Sequence, residues 1–182
     1  MQKRHLILMR HATAGSGGGR DHERRLTARG LDEAHRVGVA LASAGPVPDH
    51  VLCSSAIRCR ETWDAVRAGL GLEARSDSDA ADSVSTDSVS TDFEKDLYNA
   101  SADEILRVLA GASDARSVLL LAHNPGVSMM ALELARGSDV GLERMRSGFT
   151  PASIACFEIE GDWSSLSATS ASWLRFERGP SA

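Results

Sequence analysis

An α/β sandwich is the fold class this sequence predicts, three layers deep, with a mostly parallel central sheet and helices on both faces. Three observations carry the prediction. Short apolar runs at residues 6–9, 51–53 and 117–122 are continuous rather than alternating, as strands covered on both faces are. Each run ends in cationic, imidazole or small polar residues, which suits the carboxyl edge of an open sheet. Stretches with apolar residues at helical spacing lie between them, so strands and helices alternate. At 182 residues, the chain can bury roughly 70% of its unfolded surface, and residues 1–182 are expected to form one domain.

The elements follow in order. Residues 6–9 form the first strand and lead into Arg10-His11-Ala12. A glycine-rich connection follows, and Thr27 then caps a helix carrying Leu31, Ala34, Val37, Val39, Leu41 and Ala42 until Gly45-Pro46 stops it. Residues 51–53 are the second strand. Ser54 and Ser55 suit the start of the next helix, residues 56–70, with Arg58 in its first turn. Cys59, Trp63, Val66 and Leu70 make its core stripe, and Gly71 ends it. Residues 76–92 are acidic and serine-rich, and the five residues Ser83-Val84-Ser85-Thr86-Asp87 recur at once as Ser88-Val89-Ser90-Thr91-Asp92. This repeat holds too few apolar side chains for a core and reads as a flexible surface loop. Leu97-Tyr98 anchors the following helix to the sheet edge, and Ser101 with Glu104 resembles a capping box for residues 102–110.

The run at 117–122 ends in His123, and Asn124-Pro125-Gly126 then turns the chain into a helix over 127–136. Residues 136–148 are polar and punctuated by glycine, and are expected to border the pocket mouth. Residues 153–159 read as an edge or near-edge strand that pairs with 172–176, and the tail 178–182 is expected to be loose.

The chemistry lies at the strand ends. Parallel strands bring Arg10-His11, Arg58 and His123 to one sheet edge, where guanidinium groups suit an anion and imidazole suits nucleophilic attack. Other phosphate chemistries fit less well. Only four residues separate Cys53 from Arg58, one short of the loop a cysteine phosphatase needs. The segment Gly15-Ser16-Gly17-Gly18-Gly19-Arg20 lacks the Gly-Lys-Ser/Thr ending of a P-loop. There is no Gly-x-Ser-x-Gly elbow, and the six histidines show no His-x-x-x-His spacing that would suggest a zinc site.

Arg10-His11-Ala12, Ser54-x-x-x-Arg58-x-x-x-Thr62 and Ala122-His123-Asn124 together resemble the histidine phosphatase superfamily, most nearly its short SixA-type phosphohistidine phosphatases. The likeness extends to Asp21-x-x-Arg24-x-Leu26-Thr27-x-x-Gly30 and to Phe149-Thr150-Pro151-Ala152-Ser153-Ile154-Ala155, so it spans residues 6–159. The resemblance implies a phosphoglycerate mutase-like fold and a metal-independent phosphatase. His11 would attack phosphorus, become phosphorylated, and be freed by water. Arg10, Arg58 and His123 would form the phosphate pocket, with Arg24 added from the loop and His123 acting as a charged donor once phosphate is bound. Two alternatives accompany this reading: a small-molecule phosphomonoesterase of the same family, and a phosphate-recognising module without turnover. The proton donor to the leaving group stays open among Asp21, Glu94 and Asp96, and a phosphohistidine substrate could dispense with one. The chain departs from the family at Ala12, usually glycine, which requires an ordinary backbone there, and at Arg25, where the branch tends to carry proline.

The implied substrate is a phosphorylated protein or a small phosphorylated metabolite, and no cofactor or metal is called for. The net charge of −5, without a long basic run, argues against a nucleic-acid partner. No apolar stretch is long enough for a signal-peptide core or a membrane span. Three cysteines without a disulfide framework favour a reducing cytoplasm and a role as buried hydrophobes.

Overall fold

The computed structural model describes residues 3–17, 19–72, 89–112 and 114–180. Among these residues the chain runs β1 (Arg4–Arg10), α1 (Ala28–Ala44), β2 (His50–Ser54), α2 (Ile57–Gly69), β3 (Ser90–Glu94), α3 (Ala102–Leu109), β4 (Ser117–Ala122), α4 (Gly126–Leu134), α5 (Asp139–Met145), β5 (Ile154–Ile159) and β6 (Ala171–Glu177). The six strands form one sheet in the order β3-β2-β4-β1-β5-β6. β3, β2, β4 and β1 are mutually parallel, and β5 is antiparallel to both β1 and β6. This is the predicted α/β class.

The continuous apolar runs are explained by burial on both faces. Successive strand residues point to opposite sides, so Leu6, Leu8, Val118 and Leu120 pack with Ile105, Leu109, Val127 and Leu134 of α3 and α4. Ile7, Met9, Leu119 and Leu121 pack with Ala34 and Leu41 of α1 and Cys59, Trp63 and Val66 of α2. The α1–α2 contact is a main-chain approach. A Cβ on Gly38 would lie 2.1 Å from the Val66 carbonyl oxygen, and one on Gly69 would lie 2.1 Å from that of His35.

Local signals set several element ends. The Thr27 hydroxyl accepts from Gly30 N–H at 3.0 Å, capping α1 as predicted. Ser101 and Glu104 form the capping box of α3. Gly71 takes φ +75° just past α2, a conformation that costs glycine little. Leu97 is buried beneath α3, whereas Tyr98 turns toward the carboxyl ends of the parallel strands, its ring edge-on to His123 at 5.4 Å.

The structure corrects other expectations. Leu31 and Val39 are exposed, and α1 instead buries Gly30, Glu33, Ala34, Val37, Gly38 and Leu41. Neither Ser54 nor Ser55 caps α2; Ala56 holds that position and both hydroxyls serve the site. Residues 90–92, expected in the repeat loop, enter β3, the sheet's outer strand, where pairing with β2 alone requires no apolar pattern. The rest of the loop, residues 76–88, lies outside the described residues. Within 136–148, α5 forms behind a Ser138 cap and packs on β6, with Gly141 set against the Trp173 ring. β5 is the near-edge strand expected, pairing with the edge strand β6 as predicted. The expected loose tail is fastened at Gly179, whose N–H donates to Ser153 Oγ at 3.0 Å and whose carbonyl accepts from Thr150 Oγ1 at 2.8 Å.

Candidate active site

Strand register assembles the site. Arg10 pairs with Ala122 and Cys53 with Leu121, so His11, His123 and Ser54 all lie at or just past the carboxyl ends of neighbouring strands. His11 is fixed by its own backbone: its N–H donates to the Ala122 carbonyl and its carbonyl accepts from Ala152 N–H, both at 3.1 Å. Ala152 makes that bond from a left-handed conformation, φ +61°. Ala12 is fully buried and stays out of the left-handed region, as its side chain requires. Its N–H donates to Thr62 Oγ1 at 3.1 Å, and the Thr62 hydroxyl donates to the Arg58 carbonyl at 2.6 Å. The spacing of four that puts Thr62 on Arg58's face of α2 thus ties the loop of His11 to the helix of Arg58.

The imidazoles have defined roles as donor and acceptor. Nδ1 of His11 lies 2.8 Å from the Ala12 carbonyl oxygen, an acceptor, so this nitrogen carries the proton. Its Nε2 therefore offers a lone pair, and Arg58 Nε donates to it at 3.3 Å. His123, 3% exposed, accepts from Arg58 Nη2 at its Nδ1, 3.1 Å away, and directs Nε2 at Ser54 Oγ at 2.8 Å. The two rings lie 5.2 Å apart between centroids.

Electrostatics keep both rings neutral. Burial pushes His11 from its ordinary value near 6.5 down to about 4, with Arg58, Arg10 and Arg24 adding to the effect against the opposing Ala12 carbonyl. Burial, then the proximity of His11 and Arg58, pushes His123 down to about 3. These shifts favour the neutral ring of His123 while no anion lies beside it. A neutral, tautomer-fixed imidazole facing a guanidinium can attack an electrophile whose negative charge that guanidinium binds.

The remaining predicted residues flank this centre. Arg10 donates from Nη1 to the Phe149 carbonyl at 2.7 Å, and its buried Nε has no hydrogen-bond partner among the described residues. Arg24 spans Gly15 O at 2.7 Å and Asp21 Oδ1 at 3.1 Å, near enough to His11 to disfavour its protonation. Arg25 pairs on the surface with Glu61. Of the three candidate acids, Asp21 alone reaches the cluster. Glu94 and Asp96 line a cavity of about 570 Å³ with Tyr98, Glu104 and Arg107. Tyr98 donates to Asp21 Oδ2 at 2.6 Å, and this bond together with Arg24 holds the Asp21 carboxyl well below the usual carboxylate range. An ionised carboxylate of that kind is a poor proton donor.

Sequence reasoning missed Tyr98, His22 and the role of Ser54. His22 Nε2 lies 3.0 Å from Ser55 Oγ, and its ring meets Tyr98 edge-on at 5.0 Å. Only Ser54 carried a signal, as a polar residue ending a buried strand. The three cysteines are buried and unpaired, as expected. Among the described residues, no group of three or more His, Cys, Asp or Glu side chains is placed to hold a metal ion, and no helix is long and apolar enough to cross a membrane.

Comparison with known proteins bears on this geometry. Residues 6–82 match the model of the histidine phosphatase superfamily (branch 1). An uncharacterized protein of Mycobacterium tuberculosis (strain H37Rv) is 30% identical over 173 residues, covering 92% of this chain and 98% of its own length. One from Mycobacterium leprae is 29% identical over 176 residues with the same coverage. Among solved structures, a SixA protein of Nakamurella multipartitia, assigned as a phosphohistidine phosphatase, superposes with a TM-score of 0.80 at 29% identity, covering 100% of this chain and 99% of that one. The protein histidine phosphatase SixA complexed with tungstate shares the fold, with a TM-score of 0.69 at 22% identity over 96% of each chain. With two imidazoles and an arginine converging at the sheet edge as the motifs require, the chain belongs to the histidine phosphatase superfamily and is a phosphatase.

Proposed function

We propose that the protein is a SixA-type phosphohistidine phosphatase that works through a phosphohistidine intermediate on His11. The observation that carries this reading is the pairing at His11: Nδ1 is bound to the Ala12 carbonyl while Nε2 faces Arg58 Nε at 3.3 Å. A phosphoryl group entering there meets a lone pair and a fixed cation together. Nε2 attacks phosphorus, the new N–P bond replaces the bond to the leaving group, and the departing atom takes a proton from solvent. Water then attacks the phosphorylated His11, the N–P bond breaks, and orthophosphate leaves with the imidazole restored.

In this mechanism Arg58 and Arg10 hold the phosphoryl oxygens, Arg10 with the Nε that has no partner among the described residues. His123 contributes from the opposite side, taking up a proton as negative charge gathers beside it, and Arg24 adds positive potential from the loop. None of these steps needs a metal or cofactor. Two features favour phosphohistidine as substrate: the full-length likeness to the Nakamurella protein, and an Asp21 held ionised, which leaves no ready acid for a poor alkoxide leaving group. The substrate class is thus a phosphorylated protein, with small phosphorylated metabolites as the competing class. Three unpaired cysteines fit a cytoplasmic setting.

The test is a side-by-side assay of the purified protein on a phosphohistidine protein, sugar phosphates, nucleotides and an aryl phosphate, each with and without EDTA. The proposal expects the highest kcat/KM on phosphohistidine and no loss with chelator. A preference for a phosphomonoester would move the protein to the small-molecule class. Orthophosphate binding without turnover of any substrate would make it a recognition module.

A further inference from the structure

The polar contacts of Arg58 fall on two sides. On the outer side, Nη1 donates to the Asp21 backbone carbonyl at 2.6 Å and Nη2 to Asp21 Oδ2 at 3.0 Å. On the inner side, Nε faces His11 Nε2 at 3.3 Å and the same Nη2 faces His123 Nδ1 at 3.1 Å. A phosphoryl group seated between the imidazoles takes the inner donors and leaves the outer ones with Asp21. Asp21 is itself held: Oδ2 accepts from the Tyr98 hydroxyl at 2.6 Å and Oδ1 from Arg24 Nη1 at 3.1 Å. Tyr98 is held in turn, its ring edge-on to His123 at 5.4 Å and to His22 at 5.0 Å, with the Arg58 guanidinium carbon 5.8 Å from its centre.

We infer that Asp21 and Tyr98 are positioning residues for the phosphatase reaction: Asp21 grips the outer edge of the Arg58 guanidinium, Tyr98 fixes Asp21, and the inner edge is thereby kept aimed at the phosphoryl group. This rests on the reading that His11 and Arg58 carry the reaction. A forked, charge-assisted contact supplies geometry as well as attraction. Geometry is the quantity that matters at a transition state, where displacement by about 1 Å costs on the order of 100-fold in rate. The arrangement also gives Asp21 a use that its ionised state allows, in place of the proton donation that this state opposes.

A bystander carboxylate makes the opposite prediction. An anion beside the phosphate site repels phosphate, so if Asp21 contributed charge alone, removing it would tighten binding. The experiment uses the full chain and the variants Asp21→Ala, Asp21→Asn and Tyr98→Phe. It measures kcat and KM on p-nitrophenyl phosphate, and orthophosphate affinity by calorimetry, which needs no turnover. Asp21→Ala is expected to lower kcat about 100-fold and weaken orthophosphate about tenfold. Asp21→Asn, whose amide oxygen still accepts from Arg58, recovers about tenfold of that kcat. Tyr98→Phe keeps the ring and lowers kcat about fivefold with KM within about twofold.

The inference is overturned if Asp21→Ala binds orthophosphate as tightly as wild type or more so, if Asn is as damaging as Ala, or if Tyr98→Phe is silent. Orthophosphate affinities that follow this order across the variants, with no turnover by the wild type, would sink the hydrolase reading and leave the positioning intact. An active wild type with a flat variant series would do the reverse.

Discussion

Replacing Arg58 with alanine is the most direct probe of the proposed chemistry. Its guanidinium Nε sits 3.3 Å from the nitrogen that is to bond phosphorus, and the residue is 3% exposed. A unit charge pair about 4 Å apart is worth roughly 4 kcal/mol at an effective dielectric near 20. At about 1.4 kcal/mol per decade, that corresponds to a loss of roughly three orders of magnitude in rate. The loss should fall mainly on kcat, because charge builds on the phosphoryl oxygens as the bond to the leaving group breaks. Two features of the site add to it. Removing the guanidinium leaves the Asp21 carboxylate unpaired by Arg58 beside the incoming anion. It also removes one of the influences that keep His11 unprotonated, so the acid limb of the rate profile should move to higher pH. Arg58→Lys restores the charge but not the fork that serves both imidazoles, and is expected to recover only part of the rate. Steady-state kinetics on p-nitrophenyl phosphate, with circular dichroism to confirm folding, make the assay. A folded Arg58→Ala protein within twofold of wild type would place Arg58 outside the reaction.

Three further outcomes are expected. His11→Ala should abolish both turnover and the acid-labile phosphoenzyme seen on rapid quenching, with its thermal melt retained; undiminished activity would refute the nucleophile assignment. The acid limb of kcat/KM should lie near pH 4 rather than 6.5, because His11 is pushed down to about 4 and activity is lost only as pH falls through that value. A limb near 6.5 would mean that this ring is not the essential base. Gly38→Ala should destabilise the fold by about 1–3 kcal/mol in urea unfolding, since its Cβ would lie 2.1 Å from the Val66 oxygen. An unchanged midpoint would deny the close helix contact.

What the sequence disclosed depended on how strongly burial constrained each segment. β1 and β4 were legible because both faces are covered, which leaves no room for alternation. His11 and His123 are legible because each stands just beyond a buried strand, where a polar residue is conspicuous, and Arg58 because it falls in the first turn of the helix that follows such a strand. β3 looks like loop in the sequence because an outer strand can be polar on both sides and still pair through its backbone. Leu31 and Val39 satisfied helical spacing only approximately, and the buried face of α1 runs instead through Gly30, Ala34, Val37 and Leu41. Tyr98 gave no sign of its place, because its partner Asp21 is 77 residues away and a tyrosine after a short apolar segment looks like packing. Local logic misleads at Ser54: a serine before a helix suggests a cap, and only the tertiary structure reveals His123 at 2.8 Å.

The backbone approaches along α1 reach beyond stability. A Cβ on Gly30 would lie 2.1 Å from the Thr13 oxygen, so the first turn of α1 rests directly on the chain two residues past His11. Gly38 and Gly69 press the same helix against α2, the bearer of Arg58. Side chains in a contact can change rotamer and absorb a neighbour's substitution; two main chains in contact have no such slack. His11 and Arg58 are therefore mounted on one stiff bracket whose dimensions are set by glycines along the helix contacts. Drift toward a new leaving group would leave that gauge alone and be written at the rim, around Tyr98 and the cavity beside it.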